Sequence, residues 1–410
     1  MLTSSRRSQN LALSAIAGLY LGVIIYGLFV EGLFAPLGRD FLAFWSAGYV
    51  ANTMGYSKVY DLEALGKIQA TFTSSQKSFL TIPSPFLPVF IVPFRIFALL
   101  PPEASFFLWS SLNLFLLIYY LSVLSRKFTS RREKKGLLLM LLLAFPTFYS
   151  FYCGQINVWL VICLGEFMRA YLERKPLKAG VYLAGLLLKP QTLILLLPFL
   201  LLKGEIKALG GFTLAALALL ALSILIGGQE GLKELFLLWL RYAKGLPTTG
   251  PEAMINWRML LVHLSTHLSP TIGWVIAGMG MALTAGLTFY LWKKLPPNDS
   301  EAFVVAFLGT IAATLAITWH SHFHLGMLLF PPIIWLYHTK IFPQSLFYVW
   351  VFAPIATLFL IYVVGALAQI AKITLPLYWG GFLLGSCFLA LNLCFLIWSV
   401  KTLSIKANAD

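Results

Sequence analysis

Repeated apolar runs of bilayer-spanning length, each bounded by Lys or Arg, constrain this chain more than any other feature. A helix needs roughly 20 apolar residues to cross the hydrocarbon core of a membrane. With 59% of its 410 residues hydrophobic and only 11% charged, the chain has little with which to cover a water-soluble surface. The sequence therefore predicts an all-α, polytopic protein of the inner or plasma membrane.

The net charge of +15 does not indicate a nucleic-acid partner. The basic residues lie in short loops between apolar runs rather than along one soluble face, so we interpret them as topology signals. The four cysteines, at 153, 163, 387 and 394, lie in or beside apolar segments without CxxC spacing. Neither a disulfide framework nor a zinc site is expected.

The positive-inside rule decides how the chain is threaded. The basic N-terminus belongs in the cytoplasm, so the first span, 11–34, delivers Asp40 to the opposite face. Segment 84–100 is apolar but holds three prolines and one arginine, which fit poorly with a spanning helix. If it crossed, the basic loop 126–135 would fall outside. We therefore expect it to lie in the outer leaflet as a re-entrant or interfacial piece.

This threading gives a bundle of about twelve transmembrane helices with both termini in the cytoplasm, folded as one domain over 1–410. Two long outer loops, 35–103 and 228–270, are expected to carry interfacial helices. Two spans are shorter than the usual minimum and must be tilted, broken or extended. The predicted spans are 11–34, 104–124, 136–152, 156–171, 179–188, 191–202, 208–227, 271–292, 301–318, 323–337, 344–366 and 374–400.

Four polar clusters fall on the non-cytoplasmic face of this topology, which was chosen from the basic loops alone. They are Asp40, GQIN (154–157), LKPQT (188–192) and TWHSHFH (318–324). Each also has a structural interpretation. Asp40 is a suitable N-cap for the helix that follows, GQIN a turn, and Lys189-Pro190 a helix break with a snorkelling lysine. For Asp40, capping and service as a general base do not exclude one another.

Three histidines at alternate positions, His320, His322 and His324, are unusual at the end of an apolar span. Their spacing resembles a metal-binding cluster, but no acidic run lies nearby, so a divalent metal stays open as an alternative and is not indicated. In the second outer loop, 231–246 is amphipathic and suited to lying on lipid. Arg258 could pair with a phosphate there or contact lipid headgroups.

Five stretches in order resemble glycosyltransferase family 87, polytopic enzymes of the GT-C type similar to polyprenyl-phosphate-mannose-dependent mannosyltransferases. They are DFLAFWSAGYVANTMGYSKVYD, PSPFLPVFIVPFRIFALLPP, FPTFYSFYCGQINVWL, AGVYLAGLLLKPQTLILLLP and HSHFHLGMLLFPP, together spanning roughly 38–335. Ile82-Pro83-Ser84-Pro85 departs from the usual Tyr-Pro-Pro of the family.

The resemblance implies transfer of a sugar from a polyprenyl-phosphate donor to a glycolipid or glycan acceptor at the outer surface, with inversion. Asp40 matches the family's catalytic base, and His320 and His322 match a late motif beside the active site. Gln155, Asn157 and Lys189 match donor-binding motifs, and we add Arg258 and His324 as phosphate-binding candidates. Membrane lipids and the donor are the expected partners, and no tightly bound cofactor is implied.

Two other classes stay open. A lipid or glycolipid transporter or flippase would also place ionisable groups among many spans, although such proteins usually show internal repeats and charges near the bilayer midplane. No convincing halves are present here. A purely structural membrane protein would have no need for Asp, Gln, Lys and His at matching depth.

Overall fold

The computed structural model describes residues 2–35, 37–73, 81–126, 128, 130–244 and 250–407. Parts of three predicted features lie outside them: Pro36 and 74–80 of the first outer loop, Lys127 and Thr129 of the basic loop, and 245–246 of the amphipathic stretch. Across the described residues the fold is helical, and its β-pairing is a single antiparallel bridge between Met254 and His322. The predicted all-α class is confirmed for this part of the chain.

The described residues form seventeen α-helices, joined by short 3₁₀ and π turns. They are α1 (Leu2–Tyr26), α2 (Arg39–Thr53), α3 (Leu62–Phe72), α4 (Pro88–Phe97), α5 (Pro102–Leu124), α6 (Arg131–Leu143), α7 (Phe145–Cys153), α8 (Asn157–Leu172), α9 (Pro176–Leu183), α10 (Leu196–Leu202), α11 (Ile206–Ala243), α12 (Trp257–His267), α13 (Pro270–Lys294), α14 (Ser300–Ile317), α15 (Phe330–His338), α16 (Gln344–Ile370) and α17 (Trp379–Ala407).

The chain divides into two compact units, each assembled from three segments. The first unit comprises Met1–Tyr120, Phe148–Trp159 and Thr213–Thr249. The second comprises Leu121–Thr147, Leu160–Phe212 and Gly250–Asp410.

Seven helices of the described residues are long and apolar enough to cross a membrane, and α6 with α7 makes an eighth if this pair, bent by 48°, is one span. The chain is therefore a membrane-embedded helical protein. The predicted count of twelve is not confirmed, because four predicted spans form shorter helical segments. These are 156–171, 179–188, 191–202 and 323–337, observed as Asn157–Leu172, Pro176–Leu188, Pro190–Leu202 and Phe323–His338.

The break at Lys189 follows from the sequence LLLKPQT. Pro190 lacks an N–H and disfavours helical geometry at the residue before it. Lys189 accordingly takes φ −138° and ψ 78°, between two 3₁₀ turns, Ala184–Leu188 and Pro190–Leu193. The two short predicted spans, 179–188 and 191–202, were expected to be tilted, broken or extended, and the structure shows a break between them.

In the first unit, the proline-containing segment 84–100 forms α4, which at ten residues is too short to span a bilayer. It packs directly on α2. A Cβ added to Gly48 would lie 2.2 Å from the carbonyl oxygen of Phe94, so this glycine is what lets the two helices approach so closely.

Farther along the chain, Gly228 (φ +67°) interrupts α11 where the predicted span 208–227 ends.

In the second unit, three loops meet at the start of α14. Lys203 Nζ donates to the carbonyl of Leu295 at 3.0 Å, and the Arg174 guanidinium donates to Asn298. Lys406 Nζ lies 2.6 Å from a carboxylate oxygen of Asp299, the N-cap of α14. All of these loops were predicted to lie on one face, the cytoplasmic one.

The other end of α14 contacts the LKPQT segment. Thr318 Oγ1 donates to the carbonyl of Gln191 at 3.1 Å. Because α14 has 18 residues, its two ends lie about 27 Å apart, close to the thickness of the hydrocarbon core. The chain thus leaves one end of α14 near Lys175, reaches the opposite end at Gln191, and returns by Lys203. This is the course that the charge-based threading predicts for it.

Candidate active site

Asp40 lies in the first turn of α2 and does not cap it. The helix begins at Arg39, and its N-cap is Gly38, in the left-handed region at φ +75° with no side-chain capping bond. The interpretation of Asp40 as an N-cap is therefore wrong, because a glycine two residues earlier makes the turn. A carboxylate in the first turn still interacts favourably with the positive end of the helix dipole.

The GQIN segment provides the hydrogen-bond partner of this carboxylate. Gln155 Nε2 donates to Asp40 Oδ2 at 2.6 Å. Two backbone contacts fix the approach: the N–H of Gly38 donates to the carbonyl of Tyr152 at 2.7 Å, and Trp109 Nε1 donates to the carbonyl of Gly154 at 3.1 Å. The first unit thus joins two of the four predicted polar clusters.

Gly154 makes this approach sterically feasible. Its φ is +74°, which L side chains rarely adopt, and an added Cβ would lie 2.5 Å from the Cβ of Phe41, the residue after Asp40. The turn interpretation of GQIN is thus correct for Gly154, while Gln155 has a further contact with the candidate base.

Asn157 lies deeper in the first unit. It is fully buried, and its amide Nδ2 donates to Ser150 Oγ at 3.1 Å. Unlike Gln155, it is held inside the fold at the start of α8.

Two tyrosines near Asp40 were missed by sequence reasoning. Tyr149 in α7 and Tyr242 at the end of α11 are both close enough to interact electrostatically with the Asp40 carboxylate. Tyr149 lies inside the quoted motif FPTFYSFYCGQIN, six residues before Gln155. No periodicity or motif marks Tyr242, which belongs to the predicted amphipathic stretch.

The second unit gathers the other predicted residues around the end of α14. Lys189 is 9% exposed and close enough to His320 and His324 for their charges to interact. The contact between Thr318 and Gln191 anchors this arrangement. We call Lys189, Arg258 and the three histidines the cationic cluster, after its lysine and its arginine.

A short antiparallel pairing holds the histidines. The N–H of Ile255 donates to the carbonyl of Ser321 at 2.9 Å, and His322 Nδ1 lies 3.2 Å from the carbonyl oxygen of Ala253. The imidazole rings follow one another, with centroids 4.8 Å apart for His320 and His322 and 5.9 Å apart for His322 and His324. Within the described residues, no three His, Cys, Asp or Glu side chains are arranged to hold a metal ion.

Arg258 is buried and oriented by α12. Asn256 caps this helix through the N–H of Met259, and its amide donates to the carbonyl of Thr318 at 2.7 Å. The Arg258 guanidinium donates to the carbonyl of Trp319 at 3.1 Å and lies 4.7 Å from the centroid of its ring. Trp319 lies inside the predicted cluster TWHSHFH, although no role was predicted for it, and it positions the arginine by stacking and by hydrogen bonding.

The environment keeps His320 neutral near pH 7. Burial holds its pKa well below the usual 6.5, and the neighbouring His322, Lys189 and Arg258 lower this pKa further. Burial likewise lowers the pKa of Arg258, with Glu252 opposing the change. The Arg258 guanidinium and the N–H group of neutral His320 can both donate hydrogen bonds to phosphate oxygens.

Comparison with known proteins gives one match. The sequence model of glycosyltransferase family 87 matches residues 86–318, more than half of the chain. This range contains Gln155, Asn157, Lys189 and Arg258, whereas Asp40 and the histidines at 320, 322 and 324 lie outside it. No curated protein and no solved structure matches the chain. The chain therefore belongs to glycosyltransferase family 87 and is a membrane glycosyltransferase.

Proposed function

We propose that this enzyme is of the GT-C type and moves a sugar from a polyprenyl-phosphate donor to a hydroxyl of a glycolipid or lipid-linked glycan. The family favours mannose. The reaction takes place at the non-cytoplasmic face of the inner or plasma membrane. In this proposal the chain makes about twelve crossings, counting its short and broken segments, and has both termini in the cytoplasm. The short helices α3, α4 and α12 lie at the outer surface.

The observation that best supports this proposal is the cationic cluster at the end of α14. Lys189 and Arg258 are both largely buried, and together they place two cationic side chains that can donate charge-assisted hydrogen bonds to a phosphate. The cluster lies at the opposite end of α14 from the basic loops, as expected for a site facing away from the cytoplasm.

The chemistry requires such a group. As the bond between the sugar and the lipid phosphate breaks, negative charge grows on the phosphate, and donors fixed in a site of low dielectric stabilise this charge more than water does. Lys189 and Arg258 would bind the phosphate, with His324 behind them. His320 and His322 would donate hydrogen bonds to the departing oxygen.

Inversion also requires a base that removes the proton of the acceptor hydroxyl. Asp40 is our candidate, and the hydrogen bond from Gln155 supports this choice because it leaves one carboxylate oxygen to accept the proton while fixing the other. The mechanism needs no metal ion in any of these roles.

The test is transfer by the purified full-length enzyme. Radiolabelled polyprenyl-phosphate mannose is incubated with it and a membrane lipid extract, and the product is a new labelled glycolipid. We expect Asp40→Asn and Asp40→Ala to lower turnover by at least about 100-fold, the usual contribution of a general base. Lys189→Gln should weaken donor binding instead.

Asp61→Asn is the matched control. Asp61 lies in the same outer loop and caps α3, a task that asparagine also performs, so this variant should keep its activity. Near wild-type turnover by Asp40→Asn would overturn the assignment of the base. Movement of labelled donor across sealed vesicles without a new glycolipid would favour the transporter or flippase instead.

A further inference from the structure

At the end of α14 opposite the cationic cluster, the second unit has a cavity of about 280 Å³. It is formed by the three loops that meet there. The polar side chains that line it include Tyr171, Arg174, Lys203, Glu205, Asn298 and Asp299. None of these residues was singled out by the sequence motifs.

Both acidic residues of the cavity already have donors. The hydroxyl of Tyr171 donates to Glu205. Asp299 accepts hydrogen bonds from the N–H groups of Glu301 and Ala302, each at 2.9 Å, and forms an ion pair with Lys406. Asp299 is therefore paired with the cation of Lys406, whereas Glu205 is hydrogen-bonded to the neutral hydroxyl of Tyr171.

The two cations of the cavity are held by neutral oxygens. The Arg174 guanidinium donates to the side-chain and main-chain oxygens of Asn298, the latter at 2.9 Å. Lys203 Nζ donates to the carbonyl of Leu295 at 3.0 Å. In the part of the chain that the structure describes, neither forms an ion pair with a carboxylate. Burial lowers the pKa of Lys203, and an anion bound beside it would raise this pKa again by stabilising the charged form.

Arg174 occupies a backbone position that usually holds glycine. It follows the end of α8, where the N–H of Lys175 donates to the carbonyl of Ala170 and the N–H of Arg174 to that of Tyr171. This is the pattern whose left-handed residue is normally Gly. At φ +59° Arg174 is in a backbone conformation that is unfavourable for a residue with a side chain, and its partner Asn298 is also left-handed at φ +64°. The guanidinium is thus presented from a strained backbone.

The surroundings of Lys203 point to a lipid. Leu201, Leu202 and Ile206 lie beside it in sequence and are 63%, 60% and 67% exposed. Since α14 is about as long as the hydrocarbon core is thick, a membrane centred on it would place this cavity at headgroup level. A ligand there could combine a phosphate with acyl chains.

We propose that this cavity binds the phosphate of an anionic phospholipid, with Arg174 and Lys203 contacting the phosphate and the exposed Leu201, Leu202 and Ile206 contacting the acyl chains. This site is separate from the donor site and does not depend on the proposed chemistry. Basic recesses beside helices that end at the membrane surface are suited to anionic headgroups.

The experiment measures lipid binding by the full-length protein in a neutral detergent. Phosphatidylglycerol, phosphatidylcholine and inorganic phosphate are titrated separately, with the change in melting temperature and native mass spectrometry as readouts. We expect phosphatidylglycerol to stabilise and bind most tightly. The double variant Arg174→Gly with Lys203→Gln should bind it at least about tenfold more weakly, because two charge-assisted hydrogen bonds are lost.

These substitutions are chosen to keep the fold. Glycine suits the left-handed backbone at Arg174, and glutamine can still donate to the carbonyl of Leu295. Lys203→Gln alone repeats the test with the Arg174 loop intact. The matched control is Lys207→Gln, which removes one exposed charge next to the site but outside the cavity.

Three results would overturn the proposal. One is equal binding of phosphatidylglycerol by the wild type and the double variant, and a second is an equal loss in the Lys207→Gln control. The third is equal protection by inorganic phosphate, lost in the double variant, which would keep the anion site but reject the lipid as its ligand.

Discussion

Gln155 Nε2 donates to Asp40 Oδ2 at 2.6 Å, although the two residues are 115 positions apart in the sequence. The amide of Gln155 thus holds one oxygen of the carboxylate, and the left-handed turn at Gly154 positions this amide. A carboxylate fixed in this way keeps one direction for its remaining lone pairs, as a general base requires.

Gln155→Ala is expected to lower turnover by about 10- to 100-fold, the effect of losing one hydrogen bond to a charged group. Because Gln155 acts on the base in our proposal and not on the donor phosphate, the KM for polyprenyl-phosphate mannose should change little. Steady-state kinetics separate the two parameters. Gln344→Ala, at the exposed start of α16, should behave as the wild type. A rise in KM with unchanged kcat would instead favour the original prediction that Gln155 binds the donor.

Gly154→Ala should destabilise the protein and reduce activity together. The added methyl group would meet Phe41 at 2.5 Å and would also strain a backbone at φ +74°. We expect a loss of about 2–4 kcal/mol, combining overpacking with backbone strain. Gly32→Ala is the control, since Gly32 has φ +89° but open space around it. Thermal unfolding in detergent should show a clearly smaller effect for Gly32→Ala, and equal effects would contradict the steric explanation.

The sequence predicted where chain segments lie better than it predicted how long the helices are. The basic loops placed residues 173–175, 203–205 and 295–299 on one face, and the structure brings these loops together. Charge and hydropathy determine the side of the membrane on which a loop lies, because each charged loop must remain in water. Helix length is different. A hydrophobic run shows that a segment is buried in an apolar phase, but not whether it spans that phase, so four short helical segments were read as complete spans.

The candidate site shows the same limit at the level of single residues. Asp40, Lys189 and the histidines were visible because ionisable residues beside apolar runs are rare. The roles of Tyr242 and Trp319 could not be recognised from the sequence, because aromatic residues are common in membrane proteins and become informative only through their contacts. The sequence also could not identify Gly38 as the N-cap of α2. Aspartate is the more common capping residue, and only the backbone angles show that the helix begins after Gly38.

Arg258→Lys is expected to weaken donor binding although it keeps the charge. Lysine cannot both stack on the Trp319 ring and donate to its carbonyl from a planar fork, so the cation should lose its fixed position. We expect the KM for the donor to rise about tenfold, corresponding to the loss of roughly 1.4 kcal/mol. Arg241→Lys, at an exposed arginine of α11, is the control. An unchanged KM for Arg258→Lys would remove this residue from the phosphate site.

The pH dependence of stability should report on His320. Its pKa in the folded state lies well below the usual 6.5, mainly through burial and also through His322, Lys189 and Arg258. The unfolded chain therefore binds more protons than the folded one as the pH falls below about 6.5, so stability is full above this pH and decreases below it. The slope from this residue alone is at most about 1.4 kcal/mol per pH unit.

His320→Asn removes this titration, so the loss of stability between pH 7 and pH 5 should be smaller in the variant than in the wild type. Melting temperatures measured at several pH values give the comparison, and His267→Asn, at an exposed histidine of α12, supplies the matched control. If the wild type and His320→Asn lose stability in parallel, His320 is not the titrating group. A bound anion should make the wild type less sensitive to acid, because an anion beside His320 favours its protonated form and raises its pKa in the folded state. Adding a polyprenyl phosphate should therefore protect the wild type at pH 5 more than at pH 7, and this difference should be smaller in His320→Asn.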